Sequence, residues 1–348
     1  MGHSDNERKT MPQPYRLSVV VPCYNEAESL GELHRRVTNV CENAVNADYE
    51  IVLINDGSTD STWPLMERLV QHDPHTVAVL LSRNHGHQLA LSAGLSICVG
   101  ERILVLDADL QDPPELLPNM MRLIDEGADV VYGQRAKRYG ESWFKKLTAG
   151  FFYRVLDRLV DVKIPRDTGD FRLMTRRVLD ILNAMPEQHR FVRGMISWIG
   201  FTQIPLIYER QQRFAGETKY PVKKMVRLAL DAITSFSVQP LRIASITGAA
   251  FGFLGGVVLV YALVSWATER AVPGWTSVIV AVLILGSVQL IVMGILGEYI
   301  GRLFQESKKR PLFMIDAVVR GNRSTSRAEH GSLSEGAVHN GRQPLLHR

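Results

Sequence analysis

The chain has 348 residues, a formal net charge of +4 and three cysteines. That length builds one large domain or two ordinary ones, and the small net charge does not argue for nucleic acid as a partner. Cys23, Cys41 and Cys98 are odd in number and have no metal-type spacing, so they fit neither a disulfide framework nor a zinc motif and read as reduced, buried thiols.

Residues 1–15 are polar, carry no apolar segment of the secretory type, and are expected to form a disordered tail. Strand-like runs rich in Val, Ile and Leu follow at Leu17–Val21, Glu50–Ile54, Val77–Leu81, Arg102–Leu106 and Asp129–Tyr132, with a last one at Thr202–Tyr208. Helical patterns lie between them at Ala27–Val45, Ser61–Gln71, Gln88–Val99 and Pro114–Glu126. Strands that are apolar throughout and alternate with helices predict an α/β domain over residues 16–220, with a mostly parallel sheet covered on both faces. In such sheets ligands bind at the carboxyl ends of the strands. The loops there are polar: Pro22-Cys23-Tyr24-Asn25-Glu26, Asn55-Asp56-Gly57-Ser58-Thr59-Asp60, Ser82-Arg83-Asn84-His85-Gly86 and Asp107-Ala108-Asp109-Leu110-Gln111-Asp112. Part of that polarity suits helix starts, with Asn25 and Glu28 spaced as a capping box and Ser58 or Asp60 as caps.

Beyond residue 220 the character changes. Residues 221–241 pattern as an interfacial amphipathic helix, with Val226, Leu230 and Ile233 on one period behind Lys223, Lys224 and Arg227. Ile243 to Trp266 is free of charge, and Trp275 to Leu296 has Gln289 as its only strongly polar side chain. Each run is long enough to cross a hydrocarbon core, which takes about 20 helical residues. Residues 242–303 are therefore expected to form two transmembrane helices. Basic residues flank the pair at both ends (Lys219, Lys223, Lys224, Arg227 and Arg242 before, Arg302, Lys308, Lys309 and Arg310 after), while the connection holds only Glu269 and Arg270. The positive-inside rule then puts both termini and the α/β domain in the cytoplasm. Gly248, Gly252 and Gly256 repeat every four residues, a spacing that permits close helix packing within the chain or between protomers of a homo-oligomer. Residues 304–348 read as a cytosolic, largely disordered tail.

Asp107 and Asp109 follow an apolar strand. In an extended segment residues i and i+2 point the same way, so two carboxylates converge and need a cation between them. Few, hard oxygen ligands suit Mg²⁺ or Mn²⁺ completed by water and substrate phosphate, with Gln111 as a further oxygen. No Gly-rich phosphate loop is present, which favours phosphates held through metal. Asp112, Pro113, Pro114 and Glu115 read as architecture, ending the loop and starting the next helix.

The segments "VVVPCYNEAESL", "EIVLINDGSTDST", "LSRNHGHQLALSAGL", "VLDADLQDPPEL" and "TGDFRLM", in that order, resemble family 2 glycosyltransferases of GT-A fold. With the C-terminal hairpin the chain is similar to the polyisoprenyl-phosphate branch: the bactoprenol glucosyltransferase type, the aminoarabinose-transferring type and dolichol-phosphate mannose synthase. The resemblance implies that Pro22, Tyr24, Glu26, Asp56, Arg83, Gly86, Asp107, Ala108 and Asp109 bind the nucleotide donor, with Asp56 on the base. It implies metal on Asp107, Asp109 and Gln111, and a catalytic role for Asp170, with Asp167 the lesser choice. Arg210, Arg213 and Lys219 are expected to meet an anionic acceptor, and Arg135 and Arg172 a diphosphate. Processive synthases of this fold carry Gln-x-x-Arg-Trp, whereas this chain has Gln188-His189-Arg190-Phe191, which counts against polymer synthesis.

The implied activity is inverting, metal-dependent transfer of one sugar from a nucleotide sugar to polyprenyl phosphate at the cytosolic membrane face. UDP-glucose and undecaprenyl phosphate are the first choices. UDP-aminoarabinose, a UDP-GalNAc-type donor and GDP-mannose stay open, because the sugar pocket carries no legible code. The rival is a non-catalytic membrane scaffold or sugar-nucleotide sensor of the same fold, against which the intact Asp107, Asp109 and Asp170 argue.

Overall fold

The computed structural model describes residues 15–136, 165, 168–210, 237–268 and 274–321. Its centre is an eight-stranded mixed sheet. In chain order the strands are β1 (Leu17–Cys23), β2 (Tyr49–Asn55), β3 (Thr76–Leu81), β4 (Arg102–Val105), β5 (Val130–Arg135), β6 (Thr168–Thr175), β7 (Gln203–Tyr208) and β8 (Ile315–Arg320). Across the sheet the order is β7-β5-β6-β4-β1-β2-β3-β8. The β1–β2, β1–β4, β2–β3 and β5–β7 pairs are parallel, whereas β6 runs antiparallel to both β4 and β5, and β8 runs antiparallel to β3.

The apolar strands are buried on both faces because helices cover each side. On one face α1 (Leu30–Val45) lays Leu33, Val37, Val40 and Cys41 on the sheet beside Met66 and Val70 of α2 (Thr62–His72) and Met120, Met121 and Ile124 of α4 (Leu117–Asp125). On the other, α3 (His87–Ile97), α5 (Arg176–Ala184) and α6 (Val192–Ile199) bury Leu91, Leu95, Val178, Leu182 and Ile196 against Val20, Ile54 and Val105. The three cysteines are free and buried.

Several local expectations need correction. The first helix opens at Leu30, after Ser29, and not at Ala27. No capping box forms: Asn25 sits at φ 56 and its Oδ1 accepts from the Thr59 N–H at 2.9 Å, lacing the first loop to the second. Asn tolerates that left-handed conformation because its short polar side chain bonds locally. Asp60 does serve its helix, accepting from the Thr62 N–H at 3.0 Å, while Ser58 accepts from the Asn25 N–H. The segment Thr168–Thr175, read only as a motif, is a full strand inside the sheet, between β5 and β4. Within the span read as tail, Ile315–Arg320 is an edge strand, with Val318 opposite Val79.

The two apolar segments are helices α7 (Gln239–Ala267, 29 residues) and α8 (Trp275–Ser307, 33 residues). At 1.5 Å per residue they measure about 44 and 50 Å, more than the roughly 30 Å of a hydrocarbon core. Many of their described side chains face outward, with Phe253 and Leu290 more than two-thirds exposed, as suits helices solvated by lipid. A Cβ placed on Gly248, Gly252 or Gly256 would meet nothing within 4 Å, so among the described residues these glycines do not serve packing inside the chain. The amphipathic segment over residues 221–236 and the tails 1–14 and 322–348 lie outside the described residues.

Candidate active site

Four loops at the carboxyl ends of β1 to β4 meet at the N-terminus of α3. Asp56, 2% exposed, accepts from the backbone N–H of His85 (2.7 Å) and of Gly86 (2.9 Å), one on each carboxylate oxygen. Burial raises its pKa while these two donors pull the other way. Gly86 adopts φ 93 to turn the chain into α3, a conformation that favours glycine. Gly57 adopts φ 63, and a Cβ there would lie 2.5 Å from the Asn84 backbone nitrogen. The second and third loops thus touch backbone to backbone. Pro22, next to last in β1, lies opposite Ile54, Tyr24 projects 48% exposed beyond it, and the Glu26 backbone N–H donates to Thr62 Oγ1. Arg83 is exposed and donates to the Asn84 carbonyl oxygen. These residues form one wall.

The opposite wall is charged. After β4 the chain carries Asp107, the buried Ala108, Asp109, and Leu110 at φ 58. Asp109 Oδ1 accepts from the Gln111 N–H at 3.1 Å. Asp107 Oδ1 is buried and has no hydrogen-bond partner among the described residues. Burial lifts its carboxyl to about 6, against the pull of His87. Asp170, 5% exposed on β6, is the most heavily held group. Its Oδ2 accepts from His87 Nε2 (3.1 Å) and Gln88 Nε2 (2.9 Å), and its Oδ1 faces Arg193 (3.4 Å) and Arg172 (3.8 Å). Burial acts to raise its pKa, but the His87 hydrogen bond and the two guanidinium groups outweigh it and hold the carboxyl far below the usual range. His87 Nε2 also lies 3.5 Å from Asp107 Oδ1, so one imidazole joins the Asp-x-Asp loop to Asp170. These partners raise His87 to about 9 although burial opposes them. Arg172 donates to the Gly169 carbonyl at 3.0 Å and to that of Asp170, spending its hydrogen bonds on its own strand.

A third group sits beside these. Asp112 is 0% exposed and accepts a hydrogen bond from the Tyr208 hydroxyl. Arg135 and Arg210 each approach its Oδ1 to 3.9 Å, and Arg210 also stands 3.8 Å from Asp109 Oδ2. Asp112 therefore does not act as the helix starter the sequence suggested: the short turn Pro114–Leu116 that opens α4 has no side-chain cap. Arg213, Lys219 and Asp167 lie outside the described residues.

Among the described residues no three His, Cys, Asp or Glu side chains converge as a metal cage. Two carboxylates with a bare buried oxygen on Asp107 still fit a divalent cation of the Mg²⁺ type, which takes most of its ligands from substrate phosphate and water. Sequence reasoning missed His87, Gln88 and Arg193. They stand 83, 82 and 23 residues from Asp170, and only the crossing of β6 between β4 and β5 brings them to it. Arg190, in the segment compared with the processive motif, is turned inward to the Leu182 carbonyl at 2.6 Å.

A family model described as Glycosyl transferase family 2 matches residues 18–182, and one described as GtrB C-terminal hairpin matches residues 239–303. The chain is 44% identical to the uncharacterized glycosyltransferase YkcC of Bacillus subtilis (strain 168), covering 88% of this chain and 94% of the relative. It is 39% identical to the prophage bactoprenol glucosyl transferase homolog of Escherichia coli (strain K12), covering 87% of this chain and 99% of that one. It is 38% identical to the SfII prophage-derived bactoprenol glucosyl transferase of Shigella flexneri, covering 88% and 99%.

Proposed function

The chain belongs to glycosyl transferase family 2, and from that premise we propose that it moves one sugar from a nucleotide sugar to a polyprenyl phosphate at the cytosolic face of a membrane, with UDP-glucose and undecaprenyl phosphate as the pair to test first. One observation carries the reading. The carboxylate of Asp107, with His87 as its charged neighbour at 3.5 Å, the anchored carboxylate of Asp170 and the guanidinium groups of Arg135 and Arg210 gather at one sheet edge, in a chain that also carries two lipid-suited helices.

In this reading an acceptor phosphate oxygen forms a bond to the sugar C1 as the bond from C1 to the donor diphosphate breaks, so the anomeric centre inverts and the nucleoside diphosphate leaves. A phosphate monoester has its second pKa near 6, so the acceptor is largely dianionic near neutral pH and needs no strong base. Asp170 suits that requirement. Held by three donors, with the Arg172 charge 3.8 Å away, and kept ionised, it is a poor proton acceptor and a good fixed point for orienting His87 and Arg193. Asp107 and Asp109, with Gln111, would hold Mg²⁺ or Mn²⁺, which when bound supplies positive charge to the departing diphosphate. Arg135, Arg210, Arg213 and Lys219 would face the acceptor phosphate.

The test is a transfer assay. Purified full-length protein receives labelled UDP-glucose, UDP-aminoarabinose, UDP-GalNAc or GDP-mannose together with undecaprenyl phosphate and Mg²⁺ or Mn²⁺. Lipid-extractable label from UDP-glucose, lost on chelation and in Asp107→Asn, is the expected result. Label from another donor corrects the sugar, and no label from any donor favours the scaffold.

A further inference from the structure

Asp112 stands outside the chemistry described so far, yet it is the most enclosed carboxylate of the site. Its residue is 0% exposed, and its Oδ2 has no hydrogen-bond partner among the described residues. Its Oδ1 takes the Tyr208 hydroxyl, and Tyr208 stands opposite Arg135 in the β5–β7 pairing. Both guanidinium groups stop at 3.9 Å from Oδ1, close enough for charge and too far for a paired fork. The Nε of each arginine is buried and has no hydrogen-bond partner among the described residues. Gly169 completes the enclosure, since a Cβ there would press on Arg135 at 2.9 Å and lie 3.6 Å from Asp112 Oδ2. Two cations thus converge from the ends of two neighbouring strands on one buried anion. Arg210 meanwhile leans toward Asp109 at 3.8 Å.

We propose that Asp112 is a positioning residue. It anchors Arg135 and Arg210 from behind by charge, with Tyr208 holding its Oδ1, so that their partly exposed side chains form a cradle for the phosphate monoester of the lipid acceptor beside Asp109. Asp112 draws both arginines to one point at 3.9 Å, while Asp109 adds a second carboxylate 3.8 Å from Arg210 on the side open to the site. The inference rests on the reading of this site as one with a phosphate acceptor, and it adds the group that aims the acceptor's cations.

The sign of one measurement separates positioning from mere proximity. A carboxylate that only sits nearby repels a phosphate, so its removal tightens phosphate binding. A carboxylate that aims the arginines loses the cradle when it is removed. The probe is geranyl phosphate, titrated onto detergent-solubilised full-length protein, with geraniol as the tail control and UDP as the donor-side control. For Asp112→Asn the dissociation constant for geranyl phosphate is expected to rise tenfold or more, with UDP binding changed less than twofold and geraniol binding unchanged. Tyr208→Phe keeps the ring that packs edge-on against Phe171 at 5.7 Å, and it guards against a folding defect in the first variant. It is expected to weaken geranyl phosphate about threefold, with UDP again unchanged. Unchanged or tighter geranyl phosphate binding in these variants overturns the proposal, as does a wild-type protein that binds geranyl phosphate no better than geraniol. If the binding losses appear while wild-type protein transfers no sugar, the cradle stands and the transfer reading falls.

Discussion

At the scale of single residues, the site is a set of charges that hold one another. Asp170 shows this most clearly, since His87, Gln88, Arg172 and Arg193 all address it. Asp170→Asn removes the charge and keeps the shape. Turnover is expected to fall by about 100-fold or more, in the range seen when fixed electrostatic partners are removed. UDP affinity should stay within about threefold, because the base-side wall is built by Asp56 and its loops. Stability should drop by about 3 kcal/mol, since Arg172 and Arg193 lose their counter-charge. Steady-state kinetics, UDP titration and thermal melting check the three parts, and a loss of UDP binding would move Asp170 to the donor side. Asp107 and Asp109 could be paired from sequence because they lie two residues apart after an apolar strand, and Asp170 entered only through the family resemblance, while Asp112 was read as part of a helix start. His87 was not legible from sequence, since one histidine at the start of a helix has no partner in its own neighbourhood.

Secondary-structure elements are tied at both ends of the sheet. At the carboxyl edge Gly57 lets two loops touch, and Gly57→Ala would bring a Cβ within 2.5 Å of the Asn84 backbone nitrogen. Strain of about 1 to 3 kcal/mol at such a position should push the third loop away, lowering the melting temperature and weakening UDP more than geranyl phosphate. At the opposite edge Asp73, between α2 and β3, accepts from His34 Nε2 at 2.9 Å, from Thr76 Oγ1 at 2.8 Å and from the His75 N–H at 2.9 Å. Burial opposes ionisation there, but these donors win and hold the carboxyl at about 2. A folded pKa below the unfolded value stabilises at pH above the unfolded pKa, near 4, and the gain is lost as pH falls toward 2. Asp73→Asn should therefore cost about 2 kcal/mol at pH 7, with the gap to wild type narrowing below pH 4 in acid melting curves. Neither tie could be read from the chain. Capping rules applied locally assigned Asn25 to its own helix, while the fold uses it to bridge to Thr59.

On the scale of the molecule, the chain passes through its two long apolar helices and returns to the sheet it left. Glu306, at the end of α8, accepts from the Gln188 N–H at 2.8 Å, the Ser82 N–H donates to the Met314 carbonyl at 3.0 Å, and β8 then caps the β3 edge. Successive N–H groups on a strand point to opposite sides, so one of Ala317 and Val318 donates into the ladder and the other points away from it. Of Ala317→Pro and Val318→Pro, only one should lower the melting temperature clearly, by the loss of a ladder bond worth about 1 kcal/mol. Equal melting of the two would mean that β8 does not hold the edge in solution. This strand escaped sequence reading because six residues of alternating pattern after a basic stretch resemble a tail, and only a bare edge on β3 makes them a strand.

The sequence by itself determined the α/β class, the two lipid-suited helices and the polar loops. Apolar periodicity, uncharged run length and short motifs are local properties that burial acts on directly. Tertiary structure alone decided which charges meet. The antiparallel insertion of β6 brings Asp170 beside Asp107 through His87, and the β5–β7 pairing sets Arg135 and Tyr208 around Asp112. Coulomb and hydrogen-bond energies depend on distances between residues far apart in sequence, and strand order, which no local pattern encodes, sets those distances.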